Sequence, residues 1–298
     1  MAFVELAWIP LALIGAFIGA GQGLVNQWFK FNGWHIVFWS RVLVMLFSAT
    51  GFLFYPWPIT PIFYIAVALT SILVFYADRT GYQLIGEIDA GAISRLSPLI
   101  AVFSFIFWAV WSPATLLFYI NHPLIGIGLT LSLLMVVYFA MHLRANCPVS
   151  RQALRRYIPA MVCYGLVDIL NKTAMDAVDL ESGIVSYIFF QSVGIVLLGL
   201  LSMGWQRSTA TFGQPWRNKQ LAVASLMIAG FWLGAMIFRQ AAIKLSESPA
   251  YPTTLGLSSP IWIILIYALI GYREKARVKE GLMMLAALAI FTFFAALQ

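Results

Sequence analysis

Ten apolar windows follow one another along this chain, each about as long as a bilayer is thick, with only short polar joints between them. They lie at 6–27, 35–55, 61–84, 91–111, 116–142, 157–178, 182–204, 219–244, 249–271 and 278–297. A helix needs roughly 20 apolar residues to cross about 30 Å of hydrocarbon, so each window is one candidate span. The windows and their joints use up the 298 residues and leave no stretch for a globular domain outside the membrane. Charged residues are 10% of the chain, against about 25% in a soluble domain. A chain so poor in charge cannot cover its own surface in water, so its solvent is the bilayer. The first window has no basic flank before it and is too long for the core of a secretory signal, so it reads as a permanent span.

Turn chemistry marks the joints at Tyr55-Pro56-Trp57-Pro58, Asn121-His122-Pro123 and Gly213-Gln214-Pro215. Trp8, Trp28, Trp34, Trp57, Trp111, Trp205 and Trp216 cluster near window ends, where interfacial aromatics belong. The two halves of the chain carry matching features. Asn26 lies late in span 1 and Arg41 inside span 2, while Asn171 lies late in span 6 and Gln191 inside span 7. Spans 4 and 9 each contain a Ser-Pro step among small residues, at Ser97-Pro98 and Ser259-Pro260. Five spans per half force the second copy to insert upside down, the inverted-topology repeat of many secondary transporters. The expected fold is therefore an all-α integral membrane protein of ten transmembrane helices, built as two inverted five-helix repeats around a central cavity. The first repeat is expected at 1–143, a basic connecting loop at 144–156 and the second repeat at 157–298. Pro98 and Pro260 each remove a backbone donor and are expected to break their helices beside the site.

The five-plus-five layout, Arg41 in span 2, the two Ser-Pro steps, the segment Leu269-Ile270-Gly271-Tyr272-Arg273-Glu274 and Gly281 early in the last window together resemble the drug/metabolite transporter superfamily, of the ten-helix EamA type. The resemblance covers nearly the whole chain, on short and degenerate motifs. It implies two inverted repeats, a central cavity and secondary transport without ATP hydrolysis. It names no substrate, because the family carries solutes of many kinds.

Nine ionisable residues fall within or at the edges of the windows: Arg41, Asp78, Arg79, Arg95, Asp168, Lys172, Asp176, Arg239 and Lys244. A charge at the centre of a membrane helix costs about 2.5–3.5 kcal/mol on the insertion scale, so these groups face a wet cavity, pair with one another or reach the interface. Asp168 and Lys172 are four apart and are expected to pair within span 6. Asp176 and Lys244 lie near span ends and can reach water. Asp78 and Arg79 are adjacent and point apart, so at least one takes a partner elsewhere or lies at a wet end. Arg41, Arg95 and Arg239 have no acid at helical spacing on their own spans. Each reads either as a substrate-binding group or as a structural one, and for Arg41 the structural alternative is pairing with Asp78 or Asp168. Arginine stays charged and offers a fork that fits carboxylate or phosphate. Three arginines against two deep acids predict a net-positive cavity and an anionic or zwitterionic solute. Trp232, two turns from Arg239, and Tyr164, one turn before Asp168, are expected to line the same cavity, with Ser94, Ser97, Thr254 and Ser258 beside the proline breaks. Gly15, Gly19 and Gly23 give small-residue spacing on span 1 that allows close helix approach, within a monomer or across a homodimer.

His35, His122 and His142 lie apart, with no metalloprotease spacing and no P-loop, so no metal, cofactor or nucleotide chemistry is expected. Cys147 and Cys163 form no disulfide framework or zinc pattern. The net charge of +7 sits largely in loops, where it orients a membrane protein, so no nucleic acid is expected. Expected partners are a small-molecule substrate and membrane lipid. The first reading is a secondary active transporter, not an enzyme, working by alternating access in the plasma membrane, a bacterial inner membrane by preference. The alternatives are a flippase or membrane-embedded enzyme acting on an anionic lipid head group and, behind it, a channel. Loops between spans 1–2, 5–6, 7–8 and 9–10 carry Lys30, Arg144, Arg151, Arg155, Arg156, Arg207, Arg217, Lys219, Arg273, Lys275, Arg277 and Lys279, while the opposite side has Lys244 at most. That bias places both termini outside, although several members of the resembled family keep theirs in the cytoplasm.

Overall fold

Prolines and short turns set the helix boundaries. In the computed structural model, which describes residues 6–29, 33–87, 96–143, 151–206, 218–269 and 277–298, twelve helices appear. They are α1 (Trp8–Phe29), α2 (Gly33–Ala49), α3 (Pro61–Glu87), α4 (Leu99–Trp111), α5 (Pro113–Asn121), α6 (Pro123–His142), α7 (Arg151–Asp176), α8 (Leu180–Gln206), α9 (Lys219–Leu245), α10 (Ala250–Gly256), α11 (Ser259–Leu269) and α12 (Val278–Ala295). A single 3-10 turn, Thr50–Leu53, extends α2, and no strand occurs among the described residues. Pro61, Pro113 and Pro123 each occupy a first helical turn, where the missing N–H has no intrahelical partner to lose.

Among the described residues, seven helical segments are long and apolar enough to cross a membrane, or eight if the bent pair α4–α5 counts as one. The α10–α11 pair is one of the seven, and α1 contributes a shorter apolar stretch, Trp8–Gln22. The chain is inside out relative to a water-soluble protein. Val110, Leu124, Leu201 and Leu269 are exposed, while Asp168, Asn171, Gln191 and Gln240 are buried. Apolar side chains outward and polar ones inward is the arrangement that hydrocarbon demands.

One window departs from expectation. The stretch 116–142 is not a single span: α5 is a separate helix that turns 97° away from α4, and α6 starts only at Pro123. Proline disfavours helical backbone in the residue before it. Accordingly Ser112 is extended, at φ −107° and ψ 95°, and His122 leaves the helix at φ −123° and ψ 66°. The Ser112 hydroxyl caps α5 by accepting from the Thr115 backbone N–H. Both Ser-Pro steps lie at helix starts among the described residues. Pro98 stands immediately before α4, and Pro260 is the second residue of α11, after the break at Leu257 and Ser258.

The main packing partners are α1 with α9, α3 with α7, α6 with α12, and α2 with α8. Further contacts join α4 to α7, both α10 and α11 to α1, α8 to α3, and α9 to α2. Small residues line the first of these contacts, α1 with α9. A Cβ on Gly15 would lie 3.4 Å from the Ala235 carbonyl oxygen and 3.5 Å from the Arg239 nitrogen, so α1 rests on the α9 backbone beside Arg239. Gly15 and Gly19 thus serve packing within the chain.

At Gly165 on α7 a Cβ would meet Phe103 Cβ at 2.7 Å and the Phe103 and Ser104 backbone at 3.2 Å. Backbone cannot give way as a flexible side chain can. Gly165→Ala should therefore destabilise the protein by about 1–3 kcal/mol as α7 is pushed from α4. Gly230→Ala, where nothing lies within 4 Å, should be neutral or slightly stabilising. Melting in detergent checks both, and an unchanged Gly165→Ala midpoint would contradict the close approach.

Candidate functional site: a paired-charge centre between the helices

Two arginine–aspartate pairs tie together the middle of the helical bundle. On α2, Arg41 Nη2 donates to Asp78 Oδ2 on α3 at 3.1 Å, with side chains only 7% and 12% exposed. The other oxygen of Asp78 accepts a short hydrogen bond from the Tyr164 hydroxyl on α7. The Arg41 guanidinium also lies over the Trp232 ring of α9, its Cζ 3.8 Å from the centroid, a cation–π contact. The second pair repeats the chemistry. Arg239 on α9 donates to Asp168 Oδ1 on α7, and Thr253 on α10 donates to Asp168 Oδ2 at 2.7 Å. Each carboxylate thus takes a guanidinium and a hydroxyl, and the Ser104 hydroxyl of α4 also faces Asp168. Together the two pairs link α2, α3, α7, α9 and α10.

The pairs differ in their access to the outside. Arg41 is enclosed, but the Arg239 side chain is 36% exposed while its partner Asp168 is 0% exposed. The buried Tyr187 phenol of α8 donates to Asn171 Oδ1 on α7 and accepts from Gln191 Nε2 at 2.8 Å. On these helices several buried polar atoms have no hydrogen-bond partner among the described residues: Arg41 Nη1, Asn171 Nδ2, Gln191 Oε1 and both amide atoms of Gln240. Buried polar groups are normally satisfied, so these atoms are donors and acceptors that the described residues leave open.

The structure brings together Arg41, Trp232, Tyr164, Asp78, Asp168 and Arg239. Ser258 is buried at the α10–α11 break with an unpartnered hydroxyl. Arg79 is exposed and stands apart from the cluster. Arg95 and Ser94 lie outside the described residues. Asp168 and Lys172 do not pair with each other. Asp168 is taken by Arg239 and Thr253, and Lys172 instead meets Asp176, one turn further along α7, at 3.0 Å. Lys244 is held by the Met175 and Val178 carbonyls at the end of α7, the negative pole of that helix. The expected positive excess is absent from the described centre, where two arginines face two aspartates; any excess rests on Arg95.

Sequence reasoning missed Thr253, Tyr187 and Gln240. It favoured Thr254, whose hydroxyl bonds back to the Ala250 carbonyl within its own helix. The usable signal for Gln240 was its amide beside Arg239 on an otherwise apolar segment. The phase of the seven-residue α10, which decides between Thr253 and Thr254, left no periodic trace.

No family model and no curated protein matches this chain. Solved structures do. One described only as "Crystal structure of protein" is 11% identical, covers 99% of this chain and 96% of its own, and superposes with a TM-score of 0.63. At that identity the likeness concerns the fold alone, which is shared from end to end.

Removing one partner of a buried ion pair leaves a charge stranded, at a cost of about 3–5 kcal/mol. Arg41→Gln and Asp78→Asn should each lower stability on that scale, and the double variant should recover most of the loss. A double-mutant cycle from detergent melting reads the coupling; additive losses would show that the pair does not hold α2 to α3.

Proposed function

We propose that this protein is a secondary active transporter of a small polar solute carrying a carboxylate or similar anionic group, with ten spans arranged as two inverted five-helix repeats of the EamA type. The observation that carries the reading is the asymmetric Arg239–Asp168 pair. A guanidinium whose carboxylate is wholly enclosed, yet which is itself open to solvent in a membrane-length helix, offers its remaining donors to an anion. The fork suits a carboxylate.

The packing pattern supports the repeat. Taking α10–α11 as one span and setting α5 aside, shifting every span by five carries α1·α9 onto α7·α3, α2·α9 onto α8·α3, and α4·α7 onto the contact of α10–α11 with α1. The α2·α8 and α6·α12 contacts map onto themselves. Such correspondence is what a two-fold relation between halves produces. The interrupted spans, α4 after Pro98 and α10–α11 at Ser259-Pro260, also correspond, as expected of discontinuous helices that flank a transport site.

Deleting Arg239 outright strands the buried Asp168, so the informative variant keeps the charge. Arg239→Lys should fold with nearly unchanged melting but lose about tenfold or more in solute exchange, because one ammonium replaces a two-pronged donor. In a thermal-shift screen of the wild type, water-soluble carboxylates and zwitterions should stabilise the protein by binding the folded state. Stabilisation by anionic lipids alone would favour a lipid-handling protein, and full exchange by Arg239→Lys would remove Arg239 from the site.

The loop-charge bias further places both termini outside in a plasma membrane. A single cysteine introduced at 144–150, with Cys147 and Cys163 replaced, should resist an impermeant thiol reagent in intact cells and react after permeabilisation. Labelling in intact cells would reverse the orientation.

A further inference from the structure

Along α7 the residues Tyr164, Asp168, Lys172 and Asp176 follow at four-residue spacing, so they form one polar stripe down a single helix face. The inner two turns of this stripe belong to the paired-charge centre. The outer two open on something else. Lys172 and Asp176 line a depression of about 400 Å³, together with Trp108, Thr115, Phe118 and Glu247. That volume falls in the range of about 300–1,000 Å³ typical of small-molecule sites. The 97° turn between α4 and α5 creates it, because Trp108 comes from the end of α4 and Thr115 and Phe118 from the crosswise α5.

The chemistry of the lining is selective. Lys172 is 9% exposed on its side chain and fixed between Asp176 and the Lys244 carbonyl. Glu247 is exposed and, among the described residues, has no ion-pair partner. Among the lining side chains, one ammonium against two carboxylates is a poor receptor for a multiply charged anion, which Asp176 and Glu247 would repel. It suits a molecule carrying both signs. We propose that this depression is an outer binding site for a small zwitterionic solute, its carboxylate on Lys172 and its ammonium on Glu247. The assignment rests on the transport reading for its purpose: the site holds solute one helical turn from Asp168, from which the carboxylate passes from Lys172 to Arg239. It narrows the solute from any anion to one bearing an ammonium as well.

The test uses the full-length protein in detergent and, as probes, ω-amino acids of increasing chain length with the matched monocarboxylates and monoamines. Titration calorimetry should show at least one ω-amino acid binding the wild type more tightly than either matched singly charged probe. Glu247→Gln removes an exposed charge without stranding a buried one. It should weaken that amino acid about tenfold, the loss of one charge-assisted contact, and leave monocarboxylate binding unchanged. Lys172→Gln should weaken both the amino acid and the monocarboxylate. Zwitterions binding no better than the singly charged probes, or an unaffected Glu247→Gln variant, would overturn the outer site. Proteoliposome exchange separates this proposal from the transport reading. A zwitterion that binds through Glu247 but is never exchanged leaves the site standing and removes its transport role. A zwitterion exchanged equally by wild type and Glu247→Gln retains transport and removes the site.

Discussion

An ionised group inside a bilayer has to be paired or wetted, and that constraint organises this molecule. Carboxylates at Asp78 and Asp168 would be prohibitive alone among apolar helices. Each is neutralised by an arginine from a different helix and steadied by hydroxyl hydrogen bonding. Because lipid tails are as apolar as leucine side chains, the hydrophobic effect gives helices little reason to associate within a membrane. Polar links and close backbone contact take over that role. The pairs join α2 to α3 and α7 to α9, and Gly15 and Gly165 bring α1 onto α9 and α7 onto α4.

The same pairs divide labour. Arg41 has its carboxylate, the Trp232 face and little access to solvent, so its contribution is to hold the bundle. Arg239 is anchored just as firmly, but through a carboxylate that is more deeply enclosed than it is itself. In the transport reading proposed above, anchoring of this kind fixes a donor fork in position, which is the preorganisation that binding requires. Beyond it the polar stripe of α7 continues to the depression beside α5, so polar contacts extend from the centre of the bundle to one of its ends.

Much of the fold was legible because hydrocarbon thickness imposes a length on each span and proline marks the joints. The window at 116–142 failed for a reason of its own. The segment from Pro113 to Asn121 is as apolar as a span, and composition does not record that Ser112 and His122 leave helical geometry. The charged residues were legible as a set, since few are tolerated in such a chain. Their partners were only partly so. The alternative of an Arg41–Asp78 pair rested on charge alone, whereas Asp168 and Lys172 looked like partners by spacing and are not. Pairing across helices depends on rotation about each helix axis, and spans apolar all round carry little periodic signal to fix that rotation. Thr253 and Gln240 were missed for the same reason.

The central claim is that the charge centre is closed at Arg41 and accessible at Arg239. Arginine modification by phenylglyoxal, followed by peptide mass mapping of the folded protein in detergent, tests it directly. The account predicts that Arg239 is modified well before Arg41, and that Arg41 reacts only once the protein unfolds. Equal protection of both residues, or faster modification of Arg41, would contradict it.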